Sequence, residues 1–446
     1  MKIKPVALAL VLNAVLTPSY ASEGQFTLNN IIELAVSRDQ GLVQLNSQAL
    51  SLKETGAASA TLMDPKIKFG VGGLPVDSFK FDEDAMTNIS VGLSQQFSRG
   101  ATLDLSRKRY GQQAQIVSYQ TELRKLDIAR SITQLWIELK HLIRTSELTE
   151  EMRGLMIEMS QFIETNYSLG KSEMQDLLYA ELQVSQLDEK LQKNRQMQQR
   201  IRAQLSEWVE PEYVREAQLN TSLEPHWQSL LDIEKVTKTN STEYYDVLVT
   251  HPKIKAAEQN IQSKVTQVSI AEQSYTPQFG VEVAYAYRQA NGMNGQPASD
   301  LVSAYLTMDI PLFTEKKQDR KYAAAQHQVG VAKSQKDLLL VQMNARVNTL
   351  ISDKHNLEER IQRYQKVLVK QAKERTQAIE RGYENNTVQF SELITAARDE
   401  LMIAKEEARL MADLNSTQNE LAYVLNQYDQ NIAELSAAYE LEENNQ

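Results

Sequence analysis

Few side chains in this sequence are spaced for chemistry, and the first candidate is a phosphate-binding loop. Gly170-Lys171-Ser172 has the residue order that ends such a loop, in which the lysine contacts the phosphates of a nucleotide. The motif also needs a glycine five positions before its second glycine, and Thr165 stands there. No strand pattern precedes the segment, as the motif requires. The sequence therefore does not predict nucleotide binding.

Metal ligation is the second kind of chemistry to consider. Met152, Met156 and Met159 could bind copper through their thioethers, but their helical spacing favours a hydrophobic core. The five histidines include no His-x-x-x-His pair that would support a zinc site; they are His141, His226, His251, His327 and His355. Cysteine is absent, which excludes disulfides and thiol catalysis, and no Gly-x-Ser-x-Gly elbow occurs. We therefore predict that the protein is not an enzyme and holds no metal or cofactor.

Charge and hydropathy exclude two large classes of protein. Lys and Arg number 48 and Asp and Glu number 58, which gives a formal net charge of −10 at pH 7. A nucleic-acid-binding protein needs a basic surface for phosphates, so we predict no nucleic-acid partner. The mean hydropathy is −0.45, too low for a bundle of transmembrane helices. A transmembrane β-barrel is still allowed, because its strands alternate apolar and polar residues.

The first 21 residues have the pattern of a secretory signal peptide, 1–21. Lys2 and Lys4 precede the apolar run 6–15, and a small-x-Ala cleavage site ends at Ala21. The apolar run is shorter than the ~20 residues that span a bilayer. We expect cleavage after Ala21 and export to a bacterial cell envelope. An N-terminal anchor helix is the alternative.

Proline spacing indicates an internal tandem repeat. Two stretches of equal length, 76–210 and 312–446, contain no proline. Long helices need such stretches, because proline breaks a helix interior. Features recur at offsets of 212 and 216 positions, and at the first offset Pro65 falls on Pro277. The predicted parts of the mature chain are a first repeat at 22–242 that ends in a connector at 209–242, a second repeat at 243–428, and a tail at 429–446.

Each predicted repeat contains a helix, a pair of strands and a pair of long helices. The first helices are expected near 28–62 and 243–275, the strand pairs at about 66–106 and 278–313, and the helical hairpins at about 108–208 and 316–428. Heptad seams run along the long helices, and the seam of the first hairpin is Ile128, Ile132, Leu135, Leu139, Leu142, Leu148, Met152, Leu155, Met159 and Phe162. A helix from 318 to 381 would be ~95 Å long at 1.5 Å per residue. A compact domain does not need that length, whereas a protein that crosses an envelope compartment does.

The predicted strands alternate apolar and polar residues. In the third strand Val281, Val283 and Tyr285 alternate with small or polar residues over about ten positions, which is typical of transmembrane barrels. A soluble hairpin with one face on a core fits the same pattern. The alternation places Glu282 and Asp309 on the polar faces of their strands, where they would face a lumen.

Four strands are too few to form a barrel alone. Even eight strands leave an interior that side chains fill, and unpaired strand edges are not viable in lipid. If the strands span a membrane, several chains must therefore associate. Three chains would give twelve strands, which is wide enough for an aqueous lumen. The predicted fold is a mixed membrane α+β fold: a trimeric 12-stranded transmembrane β-barrel, with four strands per chain, continuous with a long periplasmic α-helical coiled-coil barrel.

One turn pattern occurs twice and carries a family resemblance. The pattern is Tyr-x-x-Gly, five further residues and then Asp-Leu-Leu-x-Ala. It occurs at 167–180, and a second copy lies at 383–396, where Asn386 replaces the glycine and Glu392 the aspartate. In this pattern and in its order of elements, the chain resembles the TolC-like outer-membrane efflux factor family. The segments 64–65, 73–77 and 92–95 are similar to the heavy-metal-efflux branch, which is a weaker match. Many members carry a lipidated N-terminal cysteine, which this chain lacks.

The resemblance implies a periplasmic gate. Three copies of Glu392 would form an acidic ring that favours cations, and Tyr383 and Asp176 match a pair whose hydrogen bond helps to hold the entrance shut. Thr395 stands where a second acidic ring is often found, and Val388 stands where an arginine can latch the gate. We therefore expect a weaker or differently built closure. An ordinary solvated charge is the alternative for Glu392.

The resemblance also implies partners. Loop tips at the far end of a tube are what an adaptor protein can reach, and the residues in these tips are Gly170, Lys171, Asn385 and Asn386. Simple turn chemistry is their alternative role.

The implied function is a homotrimeric outer-membrane exit duct of a tripartite efflux pump, with heavy-metal cations as the favoured cargo. Such a duct conducts passively, works with a periplasmic adaptor (membrane fusion protein) and a proton-driven inner-membrane pump, and contacts outer-membrane lipid. The alternatives are the outer-membrane channel of a drug efflux or type I protein secretion system and, in a different class, a periplasmic coiled-coil adaptor.

Overall fold

The computed structural model is mostly helical and contains one small antiparallel sheet. It describes residues 27–210, 225, 227, 230, 243–292, 295–385 and 387–428. The predicted signal peptide, most of the predicted connector, the predicted tail and Asn386 lie outside the described residues.

Two long helical rods and a four-stranded sheet dominate the described part of the chain. The helices are α1 (Leu28–Arg38), α2 (Gln40–Ser59), α3 (Thr102–Ser168), α4 (Met174–Leu205), α5 (Tyr245–Leu248), α6 (Pro252–Glu272), α7 (Gln318–Arg363), α8 (Val369–Glu384) and α9 (Phe390–Val424). The strands are β1 (Lys66–Gly72), β2 (Asn88–Gln96), β3 (Gln278–Tyr287) and β4 (Leu301–Asp309). A π-turn, Tyr364–Leu368, joins α7 to α8. With 67 residues, α3 is ~100 Å long.

A capping side chain interrupts the helical region at the start of each half. Asp39 ends α1 and caps α2, because its carboxylate accepts a hydrogen bond from the Leu42 N–H at 2.8 Å. His251 caps α6 in the same way, and Pro252 occupies the first turn, where its missing N–H costs nothing. The predictions of unbroken helices near 28–62 and 243–275 are therefore wrong at these two positions.

The four strands form one sheet in chain order. Each strand pairs antiparallel with the next, and the β2–β3 pair joins the two predicted halves, with Val91 opposite Tyr285. Strand β2 ends at Gln96 and α3 begins at Thr102, so the predicted strand pair at about 66–106 extends about ten residues too far. Residues 102–106 instead begin α3, and Asp104 in its first turn suits the positive end of the helix dipole.

The helix α3 is the centre of the helical layer. It packs against α2, α4, α6 and α9, and α7 packs in turn against α6 and α9. Two hydrophobic clusters lie along it: one surrounds Trp136 near α1, and the other joins the far ends of α3, α4 and α9. No described helix is both long enough and apolar enough to cross a membrane.

The predicted heptad seam is partly wrong in the second half of α3, which ends at Ser168. Met152 is buried as expected, but Leu155 and Phe162 are 49% and 53% exposed. Met156 and Ile163, one position further along, are buried instead. The buried face has shifted because α3 packs against two helices, α4 and α9, and a single seam describes contact with one partner.

Candidate gate and lumen surfaces

Two turns lie between long helices: one joins α3 to α4, and the other joins α8 to α9. They have the same backbone geometry. The Lys171 N–H donates to the Asn166 carbonyl at 2.8 Å, and the Thr387 N–H donates to the Gly382 carbonyl at 2.8 Å. Gly170 has a φ of +71°, as the residue after a helix end commonly does. These hydrogen bonds satisfy carbonyls that the helix ends leave unpaired. The matched donors and acceptors are 216 positions apart, the offset at which the turn motif recurs.

The predicted adaptor contacts lie on these turns. Lys171 and Asn385 are exposed. The Asn385 side-chain amide donates to the Arg381 carbonyl at 2.7 Å, so this asparagine also closes the end of α8. Turn chemistry thus explains part of the sequence here, and adaptor contact at these positions stays a prediction.

The two predicted gate carboxylates occupy matched places. Asp176 lies in the first turn of α4, and Glu392 lies in the first turn of α9. Their backbone N–H groups donate to the carbonyls of Glu173 and Gln389, each at 3.1 Å. Glu392 is exposed. A carboxylate in this position is favoured by the helix dipole.

Tyr383 lies in an aromatic group at the end of α8. Its ring centroid is 6.3 Å from that of Phe162 on α3, edge to face, and 5.7 Å from that of Phe390 on α9. Burial and the nearby negative charge of Asp176 raise the pKa of the Tyr383 phenol. The structure thus brings Tyr383 and Asp176 together, and the hydrogen bond between them stays a prediction.

The two departures from the family pattern have local structural roles. The Thr395 hydroxyl donates to the Ser391 carbonyl within its own helix at 2.8 Å. Val388 packs so closely on Gly382 that a Cβ added to the glycine would lie 2.6 Å from the valine Cγ2. A methyl contact thus occupies the place where the family resemblance implies an arginine latch.

Sequence reasoning missed two contacts at this end. The heptad pattern predicts that Phe162 lies on the buried seam, yet it contacts Tyr383 from a half-exposed position. Arg375 of α8 forms a 2.8 Å ion pair with Asp399 of α9. The heptad rhythm could have suggested this pair, because oppositely charged residues flanking a seam commonly pair between helices.

The polar face of the sheet carries the two predicted lumen residues. Glu282 of β3 forms an ion pair with Lys68 of β1, and Asp309 of β4 forms one with Arg99, just beyond β2. Each pair joins the first half of the chain to the second. The sequence indicated the two acids by strand alternation but not their basic partners, which depend on the strand order.

The other face of the sheet is apolar and uncovered. One row of neighbours crosses all four strands on this face and consists of Phe69, Val91, Tyr285 and Val302. Phe69 is 83% exposed and Val302 is 74% exposed. Monomeric soluble proteins rarely expose contiguous apolar patches larger than a few hundred Å², so this face requires a covering surface.

The described residues offer no metal centre, since no group of three or more His, Asp or Glu side chains there is placed to hold an ion. Met152 and Met156 are buried in the cluster at the far end, and Met159 packs against it. Their place in the core agrees with the sequence prediction. Gly170-Lys171-Ser172 follows a helix rather than a strand, so it lacks the context of a phosphate loop.

No family model matches the sequence, and no curated protein does. Solved structures do match it over most of its length. The outer membrane protein VceC of Vibrio cholerae has a TM-score of 0.69 at 15% identity, covering 89% of this chain and 95% of VceC. The Campylobacter jejuni outer membrane channel CmeC has a TM-score of 0.70 at 10% identity, covering 98% of this chain and 97% of CmeC. CusC, solved in a study of transmembrane channel formation, has a TM-score of 0.72 at 13% identity, covering 89% of this chain and 91% of CusC.

This is the fold of the TolC-like outer-membrane channels. The TolC-like fold confirms the predicted combination of long helical hairpins with a small antiparallel sheet. Identities of 10–15% establish the fold alone. The trimer, the twelve-stranded barrel, the tandem repeat, the parts of the chain and the roles of the site residues stay predictions.

Proposed function

We propose that this protein is a homotrimeric outer-membrane exit duct of a tripartite efflux pump in the bacterial envelope. It passively conducts substrates from an inner-membrane pump and a periplasmic adaptor to the exterior, and it catalyses no reaction. The observation that carries the proposal is the sheet with an uncovered apolar face, attached to a helix ~100 Å long. The likeness in fold to proteins described as outer membrane channels supports it.

The apolar face is suited to outer-membrane lipid. In transmembrane barrels the outward face is apolar and the lumen face is polar. The exposed apolar rows and the ion pairs Lys68–Glu282 and Arg99–Asp309 lie on opposite faces of one sheet. A soluble domain would cover the apolar face with a second layer, and none of the described elements packs on it.

The free edges of the sheet require further chains. Strands β1 and β4 are the two ends of the strand order, so each has one unpaired side within the chain. Lipid offers no partner for those N–H and C=O groups. Joining β4 of one chain to β1 of the next would close a ring, and three chains give a barrel of twelve strands with an aqueous lumen.

The helical end provides the proposed gate and docking site. In a ring of three chains the carboxylate of Glu392 would recur three times around the axis and favour cations. Lys171 and Asn385, at the exposed turns, are the proposed contacts of the adaptor. Cation cargo, with heavy-metal ions as the preferred class, rests on Glu392 and on the sequence segment 73–77. A drug efflux or protein secretion channel is the alternative for cargo.

Extraction of bacterial envelopes tests the proposal against a peripheral periplasmic adaptor. A duct stays with the membrane in carbonate and high salt, enters solution only with detergent, and then has the mass of three chains by native mass spectrometry. Release without detergent, or a single-chain mass in mild detergent, would contradict the proposal. Cargo is tested separately by deleting the gene and measuring metal accumulation in the cells beside a panel of drugs.

A further inference from the structure

The end of the sheet that joins the helices carries exposed apolar side chains. Strands β1 and β3 begin at this end, and β2 and β4 finish there. The segments that border it are 60–66, 97–101, 273–277 and 310–321. We call these four segments the helix-side rim. Leu312 and Phe313, just after β4, are 76% and 92% exposed. The other exposed large apolar residues of the rim are Leu62, Met63, Phe97 and Ile310.

These side chains continue the apolar face of the sheet. Met308 of β4 pairs with Phe279 of β3, in the same alternation that places Val281 and Val283 on that face. Ile310 and Leu312 follow Met308 at two-residue intervals, and all three are exposed. The apolar spacing therefore runs past the end of β4. In transmembrane barrels, apolar and aromatic residues at strand ends lie at the boundary between lipid and water.

The two ends of the sheet carry opposite charge. The helix-side rim contains six basic and three acidic residues, a net charge of +3. The loops at the other end, 73–87 and 288–300, contain two basic and five acidic residues, a net charge of −3. Both ends expose large apolar side chains, such as Phe313 on the rim and Phe79 at the other end. Charge therefore distinguishes the two ends, whereas hydrophobicity does not.

Several cations of the rim have no acidic partner. Arg99 forms an ion pair with Asp309. Among the residues that the structure describes, however, Lys316, Lys317 and Arg320 form no ion pair, and all three are exposed. The positive charge of the rim is therefore available to an anion outside the chain.

The basic residues at the other end of the sheet are occupied. Lys80 forms an ion pair with Glu83 at 2.7 Å. The Arg288 guanidinium donates to the Ser299 carbonyl at 2.7 Å, and the Arg288 N–H donates to the Asp300 carboxylate at 3.0 Å. This end therefore has acidic groups in excess and no comparable set of unpaired cations in the described residues.

The cations of the rim do not stabilise the helix beside them. Lys317 is the N-cap residue of α7, and its side chain makes no capping hydrogen bond. Lys316, Arg320 and Lys321 lie within about one turn of the same helix end. Positive charge is unfavourable there, because the helix dipole is itself positive at the N-terminus. A negative partner outside the chain would offset this cost.

Contacts within the chain hold the apolar and basic parts of the rim at the same end of the sheet. The Gln95 side-chain amide donates to the Met63 carbonyl at 2.8 Å, which places the segment before β1 beside the end of β2. The Tyr275 hydroxyl donates to the Asp319 carboxylate at 2.7 Å, which joins the segment before β3 to the first turn of α7. The rim is thus one surface built from both halves of the chain.

We infer that the helix-side rim binds anionic phospholipids in the membrane leaflet nearer the helices. Leu312 and Phe313 enter the boundary between head groups and acyl chains, as apolar side chains of interfacial segments do. Lys316 and Lys317 bind the lipid phosphates, because clustered cations are attracted to a surface of anionic lipid. The inference rests on the proposed function, since it names the class of lipid that the proposed duct binds.

Phe313→Trp tests the contact with lipid. The trimer is reconstituted in mixed bilayers of phosphatidylglycerol and phosphatidylcholine, in which one of the two lipids carries brominated acyl chains that quench tryptophan fluorescence. The protein without the substitution supplies the background of the natural tryptophans. We expect the new indole to be quenched, with a relative binding constant about fivefold in favour of phosphatidylglycerol, the effect of about one cation at an anionic surface. Molar salt should remove most of this preference, because it screens the charges.

Lys316→Gln combined with Lys317→Gln tests the selection of charge. In the Phe313→Trp protein this pair should lower the preference for phosphatidylglycerol about fivefold. In detergent without anionic lipid the pair should not lower the unfolding temperature, because cations at this helix end do not stabilise the helix. The control pair is Lys190→Gln with Lys193→Gln, at exposed lysines of α4, and it should leave the lipid preference unchanged.

Phe79→Trp is the matched reporter at the other end of the sheet. Phe79 is also an exposed phenylalanine, but the loops around it have a net charge of −3. An indole at this position should show no preference for phosphatidylglycerol, because negative loops do not attract an anionic lipid. An equal preference at both ends would mean that the charge of the rim does not select the lipid, which contradicts the inference.

These outcomes separate the inference from the proposed function. If the natural protein leaves the membrane in carbonate or does not conduct, the proposed duct is wrong and the inference is wrong with it. If the protein conducts but neither lipid quenches the Phe313→Trp reporter, another chain covers the rim, and the inference is wrong although the duct stands. Equal quenching by the two lipids, or a preference that the Lys316 and Lys317 changes leave intact, would also overturn the inference.

Discussion

The Asp39 carboxylate and the His251 imidazole hold the same place in the two halves of the chain. Each caps the helix that follows it: Asp39 accepts from the Leu42 N–H at 2.8 Å, and His251 accepts through Nδ1 from the Lys253 N–H at 3.1 Å. The two positions are 212 residues apart, the same offset that relates Pro65 to Pro277. The chemistry of the two caps is opposite, because Asp39 must be ionised and His251 must be neutral to accept the bond.

Asp39→Ala should destabilise the protein by about 2 kcal/mol, because it removes a helix cap and leaves the Arg124 guanidinium without its carboxylate partner. The Arg124 Nη2 donates to the carboxylate at 2.8 Å, and the Asp39 side chain is 7% exposed. Burial alone would raise the pKa of Asp39, but the bonds from Arg124 and the Leu42 N–H outweigh it and hold the pKa below the ordinary value. The measurement is the free energy of unfolding in urea at fixed protein concentration. Asp39→Asn keeps the cap and loses the ion pair, so it should cost less, and equal losses for both variants would contradict this account.

His251 should make the protein less stable in mild acid. Burial lowers the pKa of His251 to about 4 in the folded chain, while an unfolded histidine titrates near ~6.5. Protonation therefore favours the unfolded chain, so stability is full above pH ~6.5 and falls toward pH 4, by about 3 kcal/mol in total. Urea unfolding across this range should show that slope.

His251→Asn is the control for the acid effect, because asparagine caps a helix and does not titrate in this range. Its absolute stability will be lower, since the His251 ring also packs edge to face on Tyr423 at 5.8 Å. The difference in free energy of unfolding between the natural protein and His251→Asn should shrink as the pH falls from 6.5 to 4. A difference that stays constant would mean that His251 is not the group responsible.

The two faces of the sheet should respond differently to the same substitution. Val283 lies on the exposed apolar face, and its neighbour Ala284 lies on the face with Glu282 and Gly92. Val283→Lys should cost ~2–4 kcal/mol if that face contacts the bilayer centre, so less protein should assemble in the outer membrane. Ala284→Lys would point into water and should assemble normally. Equal assembly of both variants, measured in isolated outer membranes, would contradict a lipid-facing surface.

Glu392→Gln should lower the selectivity of the pore for cations. It removes three carboxylates from the proposed constriction and leaves the shape of the side chain unchanged. The measurement is the reversal potential of the reconstituted trimer in a salt gradient. Glu158→Gln, a change at another exposed glutamate, on α3, should leave selectivity unchanged, and an unchanged value for Glu392→Gln would place this carboxylate away from the ion path.

Much of the fold follows from the sequence because local signals agree with it. The alternating residues around Val283 and the heptad seam that begins at Ile128 predict strands and long helices of the right type. The recurrence at 216 positions predicts the turns, since Met174 and Phe390 both begin a helix after one. These signals are short-range, and a single sequence contains them.

The remaining features depend on partners that the sequence does not identify. The breaks at Asp39 and His251 were missed because their caps lie inside otherwise helical patterns. The exposed positions of Leu155 and Phe162 depend on α3 having two neighbours rather than one. At the candidate site, Glu392 and Tyr383 were found only through a repeated motif. The contact of Tyr383 with Phe162 requires knowing how the two hairpins pack, which no spacing along one helix reveals.

Single-channel recording of the purified trimer in planar bilayers tests the central claim most directly. A shared water-filled passage predicts discrete, ohmic conductance steps at the protein concentration where three-chain particles form, and loss of those steps in Val283→Lys but not in Ala284→Lys. Electrically silent bilayers, from a sample that native mass spectrometry shows to be assembled, would contradict the claim that these chains form a duct.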